Sequence, residues 1–254
     1  MRLRATKLSA YGGSVKRLMT PSWTPAQIAT ALWLDAADTS TITLNGSTVS
    51  QWNDKSGNGR NAVQNTAINQ PTYKSSDAVF GNKPSIGAQT NIGYVGVVTP
   101  SFTARTWFLI VAYKNGAAAT FNTAFPVLLS GTGGFGTERS GMGESGTNLW
   151  SANSVWAPYP FKNGSETTST VALPMPMSMF LFEGATAVTQ AWGIGFNQVS
   201  IDRSWEGPIG EVIATSGALS ISDRQKIEGY LAWKWNLQAS LPVSHPYYNA
   251  PPTV

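Results

Sequence analysis

Residues 106–113 read TWFLIVAY, and this stretch decides the fold. Six of its eight residues are β-branched or aromatic, and the other two, Leu109 and Ala112, are apolar, which favours a strand over a helix. The run ends at Lys114-Asn115-Gly116, whose Asn-Gly pair is typical of a tight turn. Because the run is continuous and does not alternate with polar residues, the sequence predicts a strand that is buried on both faces.

The same type of pattern continues on both sides of this stretch. Between Ser22 and Ser220, short β-branched and aromatic runs are separated by Gly, Asn, Ser and Pro, without helical periodicity. This spacing favours an antiparallel sandwich or jelly roll over alternating strands and helices. The other predicted strands are Ala31–Leu34, Val49–Asn53, Phe125–Leu129, Asn148–Ala152, Met179–Glu183, Thr189–Phe196 and Gly207–Thr215.

One helix, over residues 222–236, is predicted near the end of the chain. Ser222 is the expected N-cap, and Gln225 would complete a capping box. The prolines that follow Asn236 cannot continue a helix, so we expect a Pro-rich extended tail over the body. Segments 131–147, rich in Gly, Ser and Thr, and 153–177, rich in Pro, are predicted surface loops.

Composition excludes several classes of protein. The chain has 254 residues, 42% hydrophobic and 12% charged, which suits one well-packed domain. It has no cysteine, which excludes disulfides, thiolate nucleophiles and cysteine zinc sites. With His245 as its single histidine, it offers little basis for a catalytic triad or a multi-histidine metal site. No run approaches the roughly 20 apolar residues of a membrane span, so we expect no membrane contact.

Positive charge is concentrated in an N-terminal arm, residues 1–22. No acid precedes Asp35, and because the whole chain carries +4, the rest of it is close to neutral. A neutral body has no extended basic face for direct nucleic-acid binding. The arm also lacks the run of about 7–15 apolar residues of a secretory signal. We expect it to anchor the chain to a neighbouring subunit, the alternative being that it packs along its own body. The anchoring residues are Arg2, Arg4, Lys7, Lys16 and Arg17.

Two pairs of motifs carry a resemblance to a known family. LWLDAAD at 32–38 and SQWNDKSGNG at 50–59 resemble the opening of laminin-G-like, concanavalin A-like domains, and GPIGEVI at 207–213 with RQKIEGYLAWKW at 224–235 resembles their last strand and closing helix. The resemblance implies a two-sheet antiparallel jelly-roll sandwich over residues 23–254, often carbohydrate-binding and sometimes hydrolytic. The ending is similar to that of domains in tailed-phage structural proteins.

The acidic residues argue against a hydrolase. A retaining glycoside hydrolase needs two carboxyl groups about 5–5.5 Å apart. The chain contains no Glu-x-Asp or Glu-x-Glu; its nearest approach is Asp202, Glu206 and Glu211. On an extended strand, Asp202 and Glu206 would lie about 13 Å apart. We therefore expect no enzymatic activity.

The segment DKSGNG, which begins at Asp54, copies the start of a calcium-binding loop. Position twelve of that loop would be Asn65, where a calcium loop has a Glu that binds through both oxygens. The side chains of the segment would therefore give a calcium ion little negative charge. The sequence predicts an Asp/Asn/Gly turn and no cofactor. A structural calcium ion on Asp54, Ser56 and Asn58 is the weaker hypothesis. Asp35 and Asp38 would add oxygens to it, although their expected role is to cap backbone N–H groups in a turn.

Aromatic residues provide the candidate contact surface. Trp150, Trp156 and Tyr159 flank or occupy the Pro-rich loop and are candidates for contact with a glycan or a partner, of which the partner is favoured. The tryptophans predicted to lie in the core are Trp33, Trp52, Trp107, Trp233 and Trp235.

Taken together, these features predict a non-enzymatic protein on the virion surface of a tailed bacteriophage, as a capsid decoration or head fibre. Its arm would attach it to other virion proteins. The alternative is a lectin-like tail-fibre or tail-tip adhesin that binds host-surface glycans, with a glycan hydrolase ranked below both. The sequence leaves open whether the chain forms a homo-oligomer.

Overall fold

A computed structural model describes residues 22–87, 95–113, 127–132, 139–140, 142–144, 148–150, 160–167, 171–172, 174–196, 198 and 204–254. This part of the chain is mostly β, with strands β1 to β18 and one α-helix, α1. The strands are Thr30–Asp35, Ile42–Asn45, Thr48–Trp52, Ala62–Val63, Thr72–Asp77, Lys83–Gly87, Val97–Val98, Phe102–Tyr113, Leu129–Ser130, Arg139–Ser140, Met142–Glu144, Asn148–Trp150, Phe161–Lys162, Ser165–Glu166, Val171–Ala172, Met175–Gln190, Gly193–Ile194 and Pro208–Thr215. The helices are α1, Ile221–Lys234, and the 3₁₀ turns Pro25–Gln27, Thr39–Thr41, Ala67–Asn69, Ala78–Phe80 and Gln238–Ser240.

Strand β8 lies at the centre of a large antiparallel sheet. It pairs with β18 on one side and with β16 on the other, so that Leu109 faces both Val212 and Phe180. All side chains from 106 to 113 are buried, which confirms the predicted strand. The strand is longer than predicted and begins at Phe102. Burial on both faces explains why its sequence is continuously apolar.

Alternate residues of β8 enter two different hydrophobic cores. Trp107 and Leu109 face a larger core that they share with Trp52 on β3. Phe108 and Ile110 point the other way, into a smaller core closed by α1. The sheet continues from β18 through β6 and β5 to β3, β4, β7, β17 and β9, so one half folds over the other. The result is an all-β sandwich with a helix on one outer face.

Helix α1 begins and ends earlier than predicted. Ser220, in extended backbone, is the N-cap, and its hydroxyl accepts a hydrogen bond from Asp223 N at 3.0 Å. The predicted cap at Ser222 with Gln225 is wrong, because Ser222 already lies inside the first turn. The helix ends at Lys234 rather than 236, since Asn236 has a positive φ of 60°.

The two predicted loops contain short strands, so their prediction as uninterrupted loops is wrong. Segment 131–147 includes β10 and β11, and segment 153–177 includes β13, β14, β15 and the start of β16. The missed signal is Asn163-Gly164, whose φ values of 50° and 78° form a hairpin turn that pairs Phe161 with Glu166. The predicted strand 189–196 is divided between β16 and β17.

Candidate functional site

Residues 54–60 form a loop along the free edge of β1. Strand β1 pairs with β18 on one side, and on the other the loop takes the place of a further strand. Asp54 Oδ1 accepts a hydrogen bond from Trp33 N at 2.9 Å, and Lys55 N donates to Trp33 O at 2.7 Å. Asn58 Nδ2 donates to Thr30 O at 3.0 Å. The loop therefore satisfies backbone groups that an exposed edge would leave open to another chain.

The Asp54 carboxylate is occupied within this loop. Besides Trp33, its oxygens accept hydrogen bonds from Ser56 N at 2.9 Å, Ser56 Oγ at 2.7 Å and Arg60 N at 3.0 Å. The amide of Asn58 is turned towards the β1 carbonyls. Among the described residues, no group of three or more His, Cys, Asp or Glu side chains is placed to hold a metal ion. Asp54, Ser56 and Asn58 are thus brought together, but in a geometry that does not support the calcium hypothesis.

Replacing Asp54 with Ala should lower the free energy of unfolding by about 2–3 kcal/mol, because four donors lose a charged acceptor. Urea denaturation of the variant and the parent chain would measure this. EDTA should leave the thermal midpoint of the parent chain unchanged. A midpoint that falls with EDTA and recovers with calcium would contradict this assignment.

Beside the loop lies an open polar groove of about 480 Å³. The Arg60 guanidinium lies 5.0 Å from the centre of the Phe102 ring, and its Nη1 donates to Ala31 O. None of the ion pairs found among the described residues includes Arg60. A cation next to a hydroxyl-lined groove can bind an anionic or hydroxyl-rich ligand. The polar side chains that line the groove are Thr30, Ser56, Asn58, Arg60, Thr103 and Ser216.

A charge cluster lies where β1, β18, α1 and the loop meet; its two acids Asp35 and Glu211 are buried, and Lys55, Lys234 and Asp38 are partly exposed. Asp35 Oδ2 is 2.8 Å from Lys55 Nζ and 2.7 Å from Lys234 Nζ. Lys234 Nζ is also 2.8 Å from Glu211 Oε2, and Lys55 Nζ is 2.8 Å from Asp38 Oδ2. Asp35 Oδ1 and Asp38 Oδ1 cap backbone N–H groups in the following turn, as expected.

Glu211 is the most enclosed member of the cluster, with 0% of its surface exposed. Its carboxylate accepts hydrogen bonds from Trp33 Nε1 at 2.7 Å, Tyr230 OH at 2.9 Å and Trp235 Nε1 at 2.6 Å. Burial raises the pKa of Glu211, against the opposing effect of Lys234. Because of its raised pKa, Glu211 keeps a proton in the folded chain at pH values where it loses that proton in the unfolded chain. Proton binding by Glu211 therefore stabilises the fold at low pH, and this stabilisation is lost as pH rises through the raised pKa.

The pKa shifts of the neighbouring groups favour a neutral Tyr230 beside a charged Lys55 and a charged Asp38. Burial of Tyr230, together with the Glu211 and Asp35 charges, raises the pKa of the phenol. Burial opposes the charge on Lys55, but its hydrogen bonds to Asp35 and Asp38 outweigh burial and raise the pKa. The hydrogen bond from Lys55 lowers the pKa of Asp38. Ion pairing of Asp38 therefore stabilises the fold at neutral pH, and the effect is lost as pH falls through the lowered pKa.

The other buried acids also have structural partners. Glu206 accepts a hydrogen bond from Tyr113 OH at 3.2 Å in the larger core, whereas Glu211 lies on the helix side of the sheet. These two carboxylates therefore do not face one another, and Asp202 lies outside the described residues. Glu228 Oε2 is 3.1 Å from His245 Nε2, and His245 Nδ1 accepts from Tyr247 N at 3.2 Å.

The predicted core tryptophans are confirmed with one exception. Trp33, Trp52, Trp107 and Trp235 are buried. Trp233 is half-buried rather than part of the core. It contacts the C-terminal tail, where its Nε1 donates a hydrogen bond to Tyr247 O at 2.8 Å. The sequence analysis overlooked two fully buried tryptophans, Trp192 and Trp205.

The predicted contact residues fall largely outside the described part of the chain. Trp150 belongs to β12 by its backbone. Trp156 and Tyr159 lie outside the described residues, as do the arm residues Arg2, Arg4, Lys7, Lys16 and Arg17.

The sequence analysis overlooked Arg60, Lys55 and Lys234 as site residues. A signal was present for the cluster: Glu211 stands alone in the apolar run PIGEVIA, and a charge in a buried strand requires a partner. The identity of that partner depends on how the strands pair with one another and where the helix packs.

Comparison with protein-family models, with curated proteins and with solved structures found no match. In the described part of the chain, no helix is both long enough and apolar enough to cross a membrane.

Proposed function

We propose that the chain is a non-enzymatic surface component of a tailed-phage virion, a capsid decoration or head fibre. In this proposal the concanavalin A-like jelly roll of residues 23–254 faces outward, and the arm of residues 1–22 binds other virion proteins. The observation that carries the proposal is the firm attachment of the body at the point where the arm joins it. Ser22 forms an antiparallel bridge with Thr253, and Trp23 N donates to Pro252 O at 3.1 Å.

The contacts of Trp23 reinforce this attachment. The indole is 4% exposed and packs edge to face on Tyr230 of α1, with ring centroids 6.3 Å apart. A pulling force applied through residues 1–22 would therefore be carried by Trp23 to helix α1 and the C-terminal tail. An anchoring segment with five cations, joined to a body held in this way, suits electrostatic docking on an acidic partner surface.

The contacts of the acids support a role other than glycoside hydrolysis. A glycoside hydrolase needs one carboxyl group to protonate the leaving oxygen and a second to attack or to activate water. Asp35 and Glu211 are held by lysines, and Glu228 is held by His245. Carboxylates committed to such internal contacts serve the fold, which favours a structural role over hydrolysis.

Charge reversal of the arm tests the proposal. Replacing Arg2, Arg4, Lys16 and Arg17 with Glu should weaken attachment to the particle and increase its salt sensitivity, while the melting temperature stays nearly unchanged. A large fall in melting temperature would instead show that the arm packs on its own body. Virion co-sedimentation at increasing salt and thermal unfolding provide the two measurements.

Solution mass provides a second test. We expect light scattering after gel filtration to give a monomer for the full chain and for a variant lacking residues 1–22. Limited proteolysis should remove the arm rapidly. A trimer that dissociates on truncation would contradict decoration and favour a fibre or adhesin.

A host-glycan adhesin is the second candidate, and the open groove beside Arg60 favours it. Specific binding on a glycan array that is lost in Arg60→Ala would place the ligand in this groove. Loss in Trp156→Ala instead would place it at the Pro-rich loop.

A further inference from the structure

Three side chains of the charge cluster are in direct contact. Lys234 Nζ lies 2.7 Å from Asp35 Oδ2 and 2.8 Å from Glu211 Oε2. An amine, a carboxyl group and a second carboxyl group that contacts the amine are the components of an amide condensation. We propose that Lys234 and Asp35 become joined by an intramolecular isopeptide bond, with Glu211 as the catalytic residue. This inference is independent of the proposed function.

The Asp35 carboxyl group is held as the acyl donor. Its Oδ1 accepts a hydrogen bond from Ala37 N at 3.0 Å, which fixes the oxygen that remains as the amide carbonyl. Its Oδ2 lies between the ammonium groups of Lys55 and Lys234. Donors on both oxygens stabilise the negative charge that develops during attack. Holding the reactants in contact removes most of the entropic barrier to their reaction.

Glu211 contacts Lys234 and is paired with Asp35 across β1 and β18, which places it beside both reacting groups. The indoles of Trp33 and Trp235 hold its carboxylate through hydrogen bonds of 2.7 and 2.6 Å. Its distance from Lys234 Nζ is within the range for direct proton transfer. Burial increases the proton affinity of this carboxylate, as its raised pKa indicates.

The condensation needs no further reactant. Glu211 takes a proton from the Lys234 ammonium, and the lone pair of the resulting amine attacks Asp35 Cγ to form the C–N bond. The nitrogen then loses a second proton, and the bond from Cγ to Oδ2 breaks. Both protons pass through Glu211 to Oδ2, which leaves as water. One ammonium and one carboxylate become one amide and one water molecule, and Glu211 is regenerated.

Lys55 contacts the same Asp35 oxygen but has a different role. Its second partner is Asp38, at 2.8 Å, and these two carboxylates favour its ammonium form. Glu211 contacts Lys234 directly, which provides a route for removing the ammonium proton. The structure therefore assigns Lys234 as the nucleophile and Lys55 as the charge that stabilises the Asp35 oxygen.

The bond would join β1, near the start of the body, to the last residue of α1. Most of the domain lies within the loop that it closes, so the cross-link would restrict the unfolded chain strongly. The smaller core would then be covalently closed on its helix side.

The test is the intact mass of the purified full chain after denaturation. We expect the parent chain to weigh one water molecule less than its sequence requires, and a proteolytic digest to contain a peptide in which Asp35 is linked to Lys234. Lys234→Arg keeps the cation but cannot form the amide, and should have the full sequence mass. Lys226→Arg, on the same helix but paired with Asp223 outside the cluster, is the matched control and should keep the mass deficit.

Glu211→Gln tests the catalytic assignment and should have the full mass. A parent chain of full sequence mass would overturn the proposal. A mass deficit that persists in Lys234→Arg would assign the loss of water to another site and would overturn it equally. A deficit that persists in Glu211→Gln would remove Glu211 from the catalytic role.

Discussion

Replacing Glu211 with Ala is expected to lower the free energy of unfolding by about 3–5 kcal/mol. The carboxylate is fully buried, and it accepts hydrogen bonds from Trp33, Trp235 and Tyr230 as well as from Lys234. Its removal leaves two buried indole N–H groups and a phenol without their acceptor. Each such group costs about 1–3 kcal/mol when it loses its partner.

Glu166→Ala is the matched control. Glu166 is exposed on β14, so the same substitution should change the free energy of unfolding by less than about 0.5 kcal/mol. Urea denaturation of both variants and the parent chain would measure the difference. An effect at Glu211 no larger than that at Glu166 would show that the four donors find other partners and that the cluster does not support the fold.

Replacing Gly207 with Ala is expected to destabilise the chain by about 3 kcal/mol, at the upper end of the overpacking range. A Cβ atom at Gly207 would overlap the carbonyl oxygen of Ala112, which belongs to the central strand β8. Ala112 O also accepts a hydrogen bond from Trp205 Nε1 at 3.1 Å, so this backbone is held in place. Relief of the overlap would require β18 to separate from β8 where the sheet turns towards β6.

Gly217→Ala separates this steric effect from the general effect of replacing a glycine. A Cβ atom there would meet no atom within 4 Å, and no positive φ restricts the residue. We expect this variant to be neutral or slightly stabilising, because alanine reduces the freedom of the unfolded chain. Equal losses of stability in the two variants would show that close packing at Gly207 is not the cause.

The sequence predicted the elements whose patterns are long and uniform. The apolar run at 106–113 identifies the central strand, because only burial on both faces tolerates eight apolar or small residues in succession. The helical spacing after residue 220 identifies α1, although the position of its cap was missed by two residues. The hairpin at Asn163-Gly164 was missed because the surrounding prolines favoured a loop.

The candidate site was less accessible to sequence analysis. The motif that begins at Asp54 was recognised as a turn or calcium loop, and the structure shows it as a turn that covers an edge strand. Arg60 follows the glycines of this motif, and nothing local distinguishes it from an ordinary surface cation. Its importance depends on Phe102 and the groove, which come from a distant strand.

The sequence by itself determined the all-β class, the buried central strand, the closing helix, the concentration of positive charge in residues 1–22 and the absence of cysteine, because each depends on composition or on a local pattern. Only the tertiary structure decided that Asp35, Glu211 and Lys234 meet. These residues lie on β1, β18 and α1, and they come together because β1 pairs with β18 while α1 packs across the same face. Their contact energy depends on burial and on distance in space, and neither is contained in the order of residues along the chain.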